Sequence, residues 1–152
     1  MSYVKTTWVD DTTPINASNL NKIENGIYNN DEKITNITGE ILWSDTNFGD
    51  SFEAQTITLS SSDYDMLEVI YTAAYNIPNY DSVRFLKGQG ALMTNLSISA
   101  SSLTAFTRGI VYDSATSLRF GSGFTRSSAG NNQNDGVCIP VYVIGYKTEL
   151  FS

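Results

Sequence analysis

Histidine is absent from the 152 residues, and cysteine occurs once, at Cys138. Without histidine there is no Ser-His-Asp triad, no Cys-His dyad, no zinc finger and no imidazole metal site. A single thiol closes no internal disulfide. Charge is scarce as well: 16% of residues are Asp, Glu, Lys or Arg, and 9 cations against 16 anions leave a net charge of -7. That balance speaks against a nucleic-acid partner, which needs clustered Lys and Arg to neutralise phosphates. No apolar run approaches the ~18 residues that span a bilayer, so no membrane insertion is expected. The opening MSYVKTTWVDD has no apolar segment of the secretory kind, so export through a signal peptide is not expected.

What fills the chain instead is uncharged polarity. There are 18 Ser, 16 Thr and 14 Asn, about a third of all residues, beside nine Tyr. The pattern changes character near Gly39. Before it, the spacing is helical. Asn16 is a good N-cap, and Ile15 and Leu20 are placed to form a hydrophobic staple around it. From Ala17 the apolar residues Leu20, Ile23, Ile27, Ile34, Ile37 and Ile41 follow heptad steps. Leu20, Ile27, Ile34 and Ile41 fall at a; Ile23, Asn30 and Ile37 fall at d. This two-wide stripe is narrower than the face a helix turns to its own core. A helix so rich in Asn, with Gly26 inside it, has poor propensity and does not hold alone. Ile at both a and d favours three or more strands over two. A parallel homotrimeric coiled coil is therefore the expectation, with packing of the stripe on the chain's own β-part as the alternative. At e and g no interchain ion pair adds to it, since Lys33 would face Thr38. Asn30 at d fixes register, and three Asn30 amides on the axis either hold an anion such as chloride or form a hydrated polar layer.

After Gly39 the chain reads as strands. The candidates are 40–44, 54–60, 66–74, 83–87, 91–98, 103–112, 117–125 and 137–148, short, β-branched and aromatic, with Gly, Asn and Asp between them. About eight strands in ~110 residues suit a β-sandwich or jelly roll. Pro140 in the last strand predicts an edge position or a bulge.

The segment TTWVDDTTPINASNLNKIENGI carries more than a helix start. Trp8 precedes the pair Asp10 and Asp11; Thr13, Pro14, Ile15, Asn16 and Ala17 follow, then Asn19 to Glu24, Gly26 and Ile27. This resembles the leader of many structural proteins of tailed phages and prophages of Gram-positive bacteria, among them tail-fibre, baseplate and head-fibre components. The resemblance covers about 20 residues and includes polar positions that a helix does not require. It implies an attachment segment over 1–16 that docks on another virion protein through Trp8, Asp10, Asp11 and Pro14. It implies a coiled-coil helix over 17–39 and a β-head over 40–152. The expected location is a virion surface, on tail, baseplate or capsid, after synthesis in the host cytoplasm and release by lysis.

Catalytic signals are weak. Asp63 and Asp65 stand two apart before a strand, as a calcium site or glycosidase pair would, but an acidic turn is the simpler reading. Asn131 to Gly136 resembles a calcium loop without its closing acid. There is no phosphate-binding glycine loop and no G-x-S-x-G. Cys138 lies between Val137 and Ile139, as a packing residue does. No enzyme, cofactor or metal is expected. Sugar recognition combines aromatic platforms with planar polar groups. Two connections have that character: Tyr75 to Asp81, with Tyr75, Asn76, Asn79 and Tyr80, and Thr125 to Asp135, with Arg126, Asn131, Asn132 and Asn134. They are the candidate surface for a host cell-wall or surface glycan. A capsid fibre or decoration protein, structural or weakly adhesive, is the alternative.

Overall fold

The computed structural model describes residues 16–147 apart from 48, 75–76, 99–102 and 128–129; of 32–33, 35–37 and 77–78 it describes the backbone. The chain divides after Thr38 into two compact units. The first contains one helix, α1 (Ala17–Thr38). Its start is capped by Asn16, whose Oδ1 accepts the Asn19 N–H at 2.9 Å, satisfying one of the free amides of the first turn. Gly39 ends it with φ +68°, and a Cβ there would run into Ile144 and Tyr146 at 2.6 Å. Only glycine meets both conditions. Ile41, expected at an a position of the helix, therefore lies beyond its end, on the first strand.

The second unit is an all-antiparallel β-sandwich. Its strands are β1 (Glu40–Ser44), β2 (Gln55–Thr58), β3 (Met66–Ala74), β4 (Ile77–Leu86), β5 (Ala91–Ile98), β6 (Leu103–Ser114), β7 (Ser117–Ser127), β8 (Gly130–Gln133) and β9 (Val137–Tyr146). One sheet has the order β1-β9-β3-β4; the other has the order β2-β7-β6-β5, with β8 beside β7. Strands β3 to β7 are successive neighbours around the sandwich. This is a meander closed by β9 and β2 and not a jelly roll of two Greek keys. Short connections let β4 pair with β3, β6 with β5, β7 with β6 and β8 with β7, while the equally short β4–β5 and β8–β9 connections cross between the sheets.

Alternation builds the core. On β3, Leu67, Val69 and Tyr71 face inward; on β7, Leu118 and Phe120 are buried around the exposed Arg119. Trp43, Phe52 and Phe120 pack with centroids 5.6–6.4 Å apart. Each such side chain withdrawn from water contributes about 1.5–3 kcal/mol. Pro140 lies on β9 between β1 and β3, not at an edge. It is tolerated because the β3–β9 register shifts there, from Ile70↔Tyr142 to Tyr71↔Pro140, and because the β1 pairing ends at Tyr142. Two segments expected as loops are strand. Residues 77–82 extend β4 in register with Ile70–Ala74 of β3, and 130–133 form β8 against Phe124–Ser127. β8 has no apolar side chain and is exposed throughout; backbone pairing holds it, with the Gln133 amide donating to Asp135 Oδ2 at 3.0 Å, and no burial pattern announces it.

The inner faces are tied by one cation. Arg108 on β6 is 1% exposed. Its guanidinium donates to the carbonyls of Gly121 at 2.7 Å, Asp135 at 3.0 Å, Val137 at 3.2 Å and Cys138 at 2.9 Å, and it stacks 5.3 Å from the Phe52 ring centroid. Burial pushes its pKa down and Asp135 opposes that, but a guanidinium keeps its charge. Gly123 makes room for it, since a Cβ there would meet Arg108 Nη2 at 2.9 Å and the carbonyl of Asn134. Replacing Arg108 by Met leaves four inward carbonyls dry and is expected to cost about 3–5 kcal/mol. Arg108→Lys is expected to recover little, because one ammonium cannot fork to four acceptors. Urea unfolding at neutral pH tests this, with Arg119→Met, which breaks an exposed pair with Asp113, as the mild control. Equal losses in Arg108→Met and Arg119→Met would contradict the assignment.

Candidate functional site

On α1, Leu20, Ile27 and Ile34 are 49%, 61% and 59% exposed. They recur every seventh residue along one face. Ile23 is half-buried and Asn30 exposed; the Ile37 side chain lies outside the described residues. The helix has no acid in its first turn and no base in its last, so nothing complements its dipole. Its local devices include the Asn16 cap and the Thr38 hydroxyl, which donates to the Ile34 carbonyl at 3.1 Å. Lone helices of this length and composition are marginal in water. The stripe is the part of α1 with free energy still to gain. Trp8, Asp10, Asp11 and Pro14 lie outside the described residues.

In the sandwich, the register fixes which ends coincide. Glu40 pairs with Gly145, and Met66 with Tyr146, so the chain enters at the end where β9 finishes. Ala74 pairs with Ile77 and Val137, Ile98 with Leu103, and Ser127 with Gly130, at the opposite end. The candidate recognition residues cluster towards that far end. Tyr75 and Asn76 are outside the described residues. Asn79 and Tyr80 stand exposed on β4, an edge of the first sheet. Arg126, Asn131 and Asn132 stand exposed on β7 and β8, at the other side of the second sheet. Thus the fold presents two separate polar surfaces at one end and no single convergent pocket among them. Arg126 lies 5.5 Å from the Phe124 centroid and donates to Thr107 Oγ1 at 3.3 Å. Asn134 is committed to its turn: its amide donates to Thr125 Oγ1 at 3.1 Å and its oxygen accepts the Gly136 N–H at 3.1 Å.

The acidic pair does not converge. Asp63 pairs with Lys147, while Asp65 accepts the Lys87 N–H through its backbone at 2.8 Å. Among the described residues no three His, Cys, Asp or Glu side chains gather as a metal site. Cys138 is fully buried, and burial pushes its thiol up to about 12, far from the thiolate a nucleophile needs. Tyr71 is likewise raised to about 12 by burial; its hydroxyl donates to the Thr94 carbonyl at 2.7 Å and accepts the Thr94 N–H at 3.2 Å.

One cluster went unforeseen. Glu68, facing outward on β3, is 7% exposed. It accepts from Tyr146 Oη at 2.7 Å and Arg84 Nη2 at 3.1 Å, and Arg84 lies 5.6 Å from the Tyr146 centroid. The signal for it was the outward parity shared by Glu68 and Arg84 on adjacent hydrophobic strands. Arg108 had a comparable signal, since Phe106, Arg108 and Ile110 share the inward parity of β6.

Comparison with protein-family models, with curated proteins and with solved structures finds no match.

Glu68 sets an acid dependence. Burial pushes its carboxyl up, but hydrogen bonds from Tyr146, Ser82 and Arg84 and the Arg84 charge outweigh it and hold the pKa below the ordinary 4.5. A depressed carboxylate stabilises the fold above its unfolded pKa and loses that contribution as pH falls through the folded value. Thermal midpoints are therefore expected to fall as pH drops below 4.5, and less steeply in Glu68→Gln than in the parent. Parallel pH profiles would refute this role.

Proposed function

We propose that the chain is a homotrimeric phage virion fibre protein, held to another virion protein through residues 1–16, whose β-head binds a saccharide on the host surface. The observation that carries this reading is the exposed Leu20–Ile27–Ile34 face of α1. An otherwise weak helix with one apolar seam gains most by meeting its own copies, and the isoleucine-rich seam favours three. The leader around Trp8, Asp10, Asp11 and Pro14 supports a virion location, because it is similar to the leader of phage fibre and baseplate proteins. Asn30 then contributes a polar layer that sets register and offers three amides to an anion or to water. No catalytic step is assigned to the head.

The exposed Tyr80 on β4, with Asn79, and the Arg126, Asn131 and Asn132 group suit planar and hydrogen-bonding contacts to sugar. Their separation on two sides of the sandwich favours a second reading, a capsid fibre or decoration protein with a structural or weakly adhesive role.

Two experiments test this. Ile27→Asp, which places three carboxylates on the seam, is expected to abolish the helical circular-dichroism signal while leaving the β-signal; retention of the helix would contradict the coiled coil. Adsorption of the purified protein to host cells is expected to fall at least tenfold in Tyr80→Ala or Asn131→Ala. Wild-type protein that binds no host cell or glycan, but decorates capsids in electron micrographs, selects the second reading.

A further inference from the structure

The open edge of the second sheet is unusual. β5 carries Leu92, Leu96 and Ile98 at 55%, 62% and 79% exposed, and Leu103 beside them on β6 is 56% exposed. The pairs Leu96↔Ala105 and Ile98↔Leu103 put these side chains on one outer face. From Ala91 to Thr107, 17 residues contain no charge. Edge strands are ordinarily guarded by lysines, prolines or bulges, and this one has none. Its backbone is met at Thr94, where Tyr71 Oη bonds both the N–H and the C=O. The same parity turns the polar backbone of Leu96 and Ile98 to the open side.

Charge is divided to match. Residues 91–134 contain Arg108, Arg119 and Arg126 against Asp113 alone, although the whole chain is at -7. The opposite edge of the sandwich is formed by β1 and β2 with the segment between them. Asp45, Asp50 and Glu53 lie there, and no Lys or Arg occurs between Lys33 and Arg84. One edge is thus acidic, and the outer face of the second sheet is apolar on β5–β6, with the exposed cation Arg126 on β7 in one row with Leu96 and Ala105. Two unlike surfaces on one molecule complement each other between copies, and such a head-to-tail contact closes a ring when the rotation permits.

We infer that the outer face of the second sheet, from Leu92, Leu96, Ile98 and Leu103 on β5–β6 to Arg126 on β7, is covered by the acidic β1–β2 edge of an adjacent copy, which takes Arg126 out of the sugar-facing group and leaves Asn131 and Asn132 there. This rests on the homotrimer proposed above. Helix association would place the heads at high effective concentration, because one residue, Gly39, joins α1 to β1.

The test uses the full chain carrying Ile98→Cys, with its mass measured first by light scattering. The buried Cys138 is the internal blank. Labelling by N-ethylmaleimide is expected to be at least ten times slower than in a Thr116→Cys variant, whose position is exposed at the other end of the sandwich. Adding Arg126→Glu is expected to remove most of that protection while the mass stays trimeric. A trimeric protein in which both thiols react equally fast overturns the covered face and leaves the coiled coil standing. A single-chain mass removes the assembly itself, and this surface with it.

Discussion

A buried guanidinium sets the terms on which the β-head is built. Arg108 brings a permanent charge into the space between the sheets, where it is tolerable only if its donors are met. The acceptors come from three places: Gly121 on β7, Asp135 in the β8–β9 turn, and Val137 and Cys138 on β9. Those demands reach outward. Gly123 must lack a side chain, and Asp135 accepts the Gly123 N–H at 2.9 Å. Cys138 sits at φ +47°, a conformation that a non-glycine residue adopts at a cost of about 1–3 kcal/mol. The strain falls in the residue whose carbonyl completes the cage. A chain with a single cysteine thus ties its two sheets through one buried cation and four backbone oxygens.

Much of this architecture was legible in the sequence. Heptad spacing and the Asn16 cap located α1 to within a residue, and period-two alternation located most strands. What was missed had physical reasons. β8 has Gly, Asn, Asn and Gln, so it carries no burial pattern, and its pairing with β7 is a backbone matter. The first half of β4 looked like a loop because Pro78, Asn79 and Asp81 disfavour strand in isolation, while pairing with β3 overrides that preference. Ile41 matched the heptad by count, but Gly39 had already ended the helix. Of the surface residues, the sequence indicated which were polar and aromatic, but not that Tyr80 and Asn131 would stand on different sheets. Nor did it foretell that Asn134 would spend its side chain within a turn.

The uncharged polarity of the chain now has a structural sense. Ser, Thr and Asn solvate strands and helix without adding charge. Asp45, Asp50 and Glu53 lie on the β1–β2 side, while the exposed Arg119 and Arg126 lie on the second sheet. Each unit also keeps exposed apolar surface, a helical stripe in one and an edge strand in the other, of a kind that soluble monomers seldom leave uncovered. The proposed self-association would cover both.

Sedimentation equilibrium of the full chain over a wide concentration range tests that account most directly. The chain mass is 16.7 kDa. Self-association by threes predicts a single species at three chain masses, stable to dilution. A species that stays at 16.7 kDa at every concentration would contradict it.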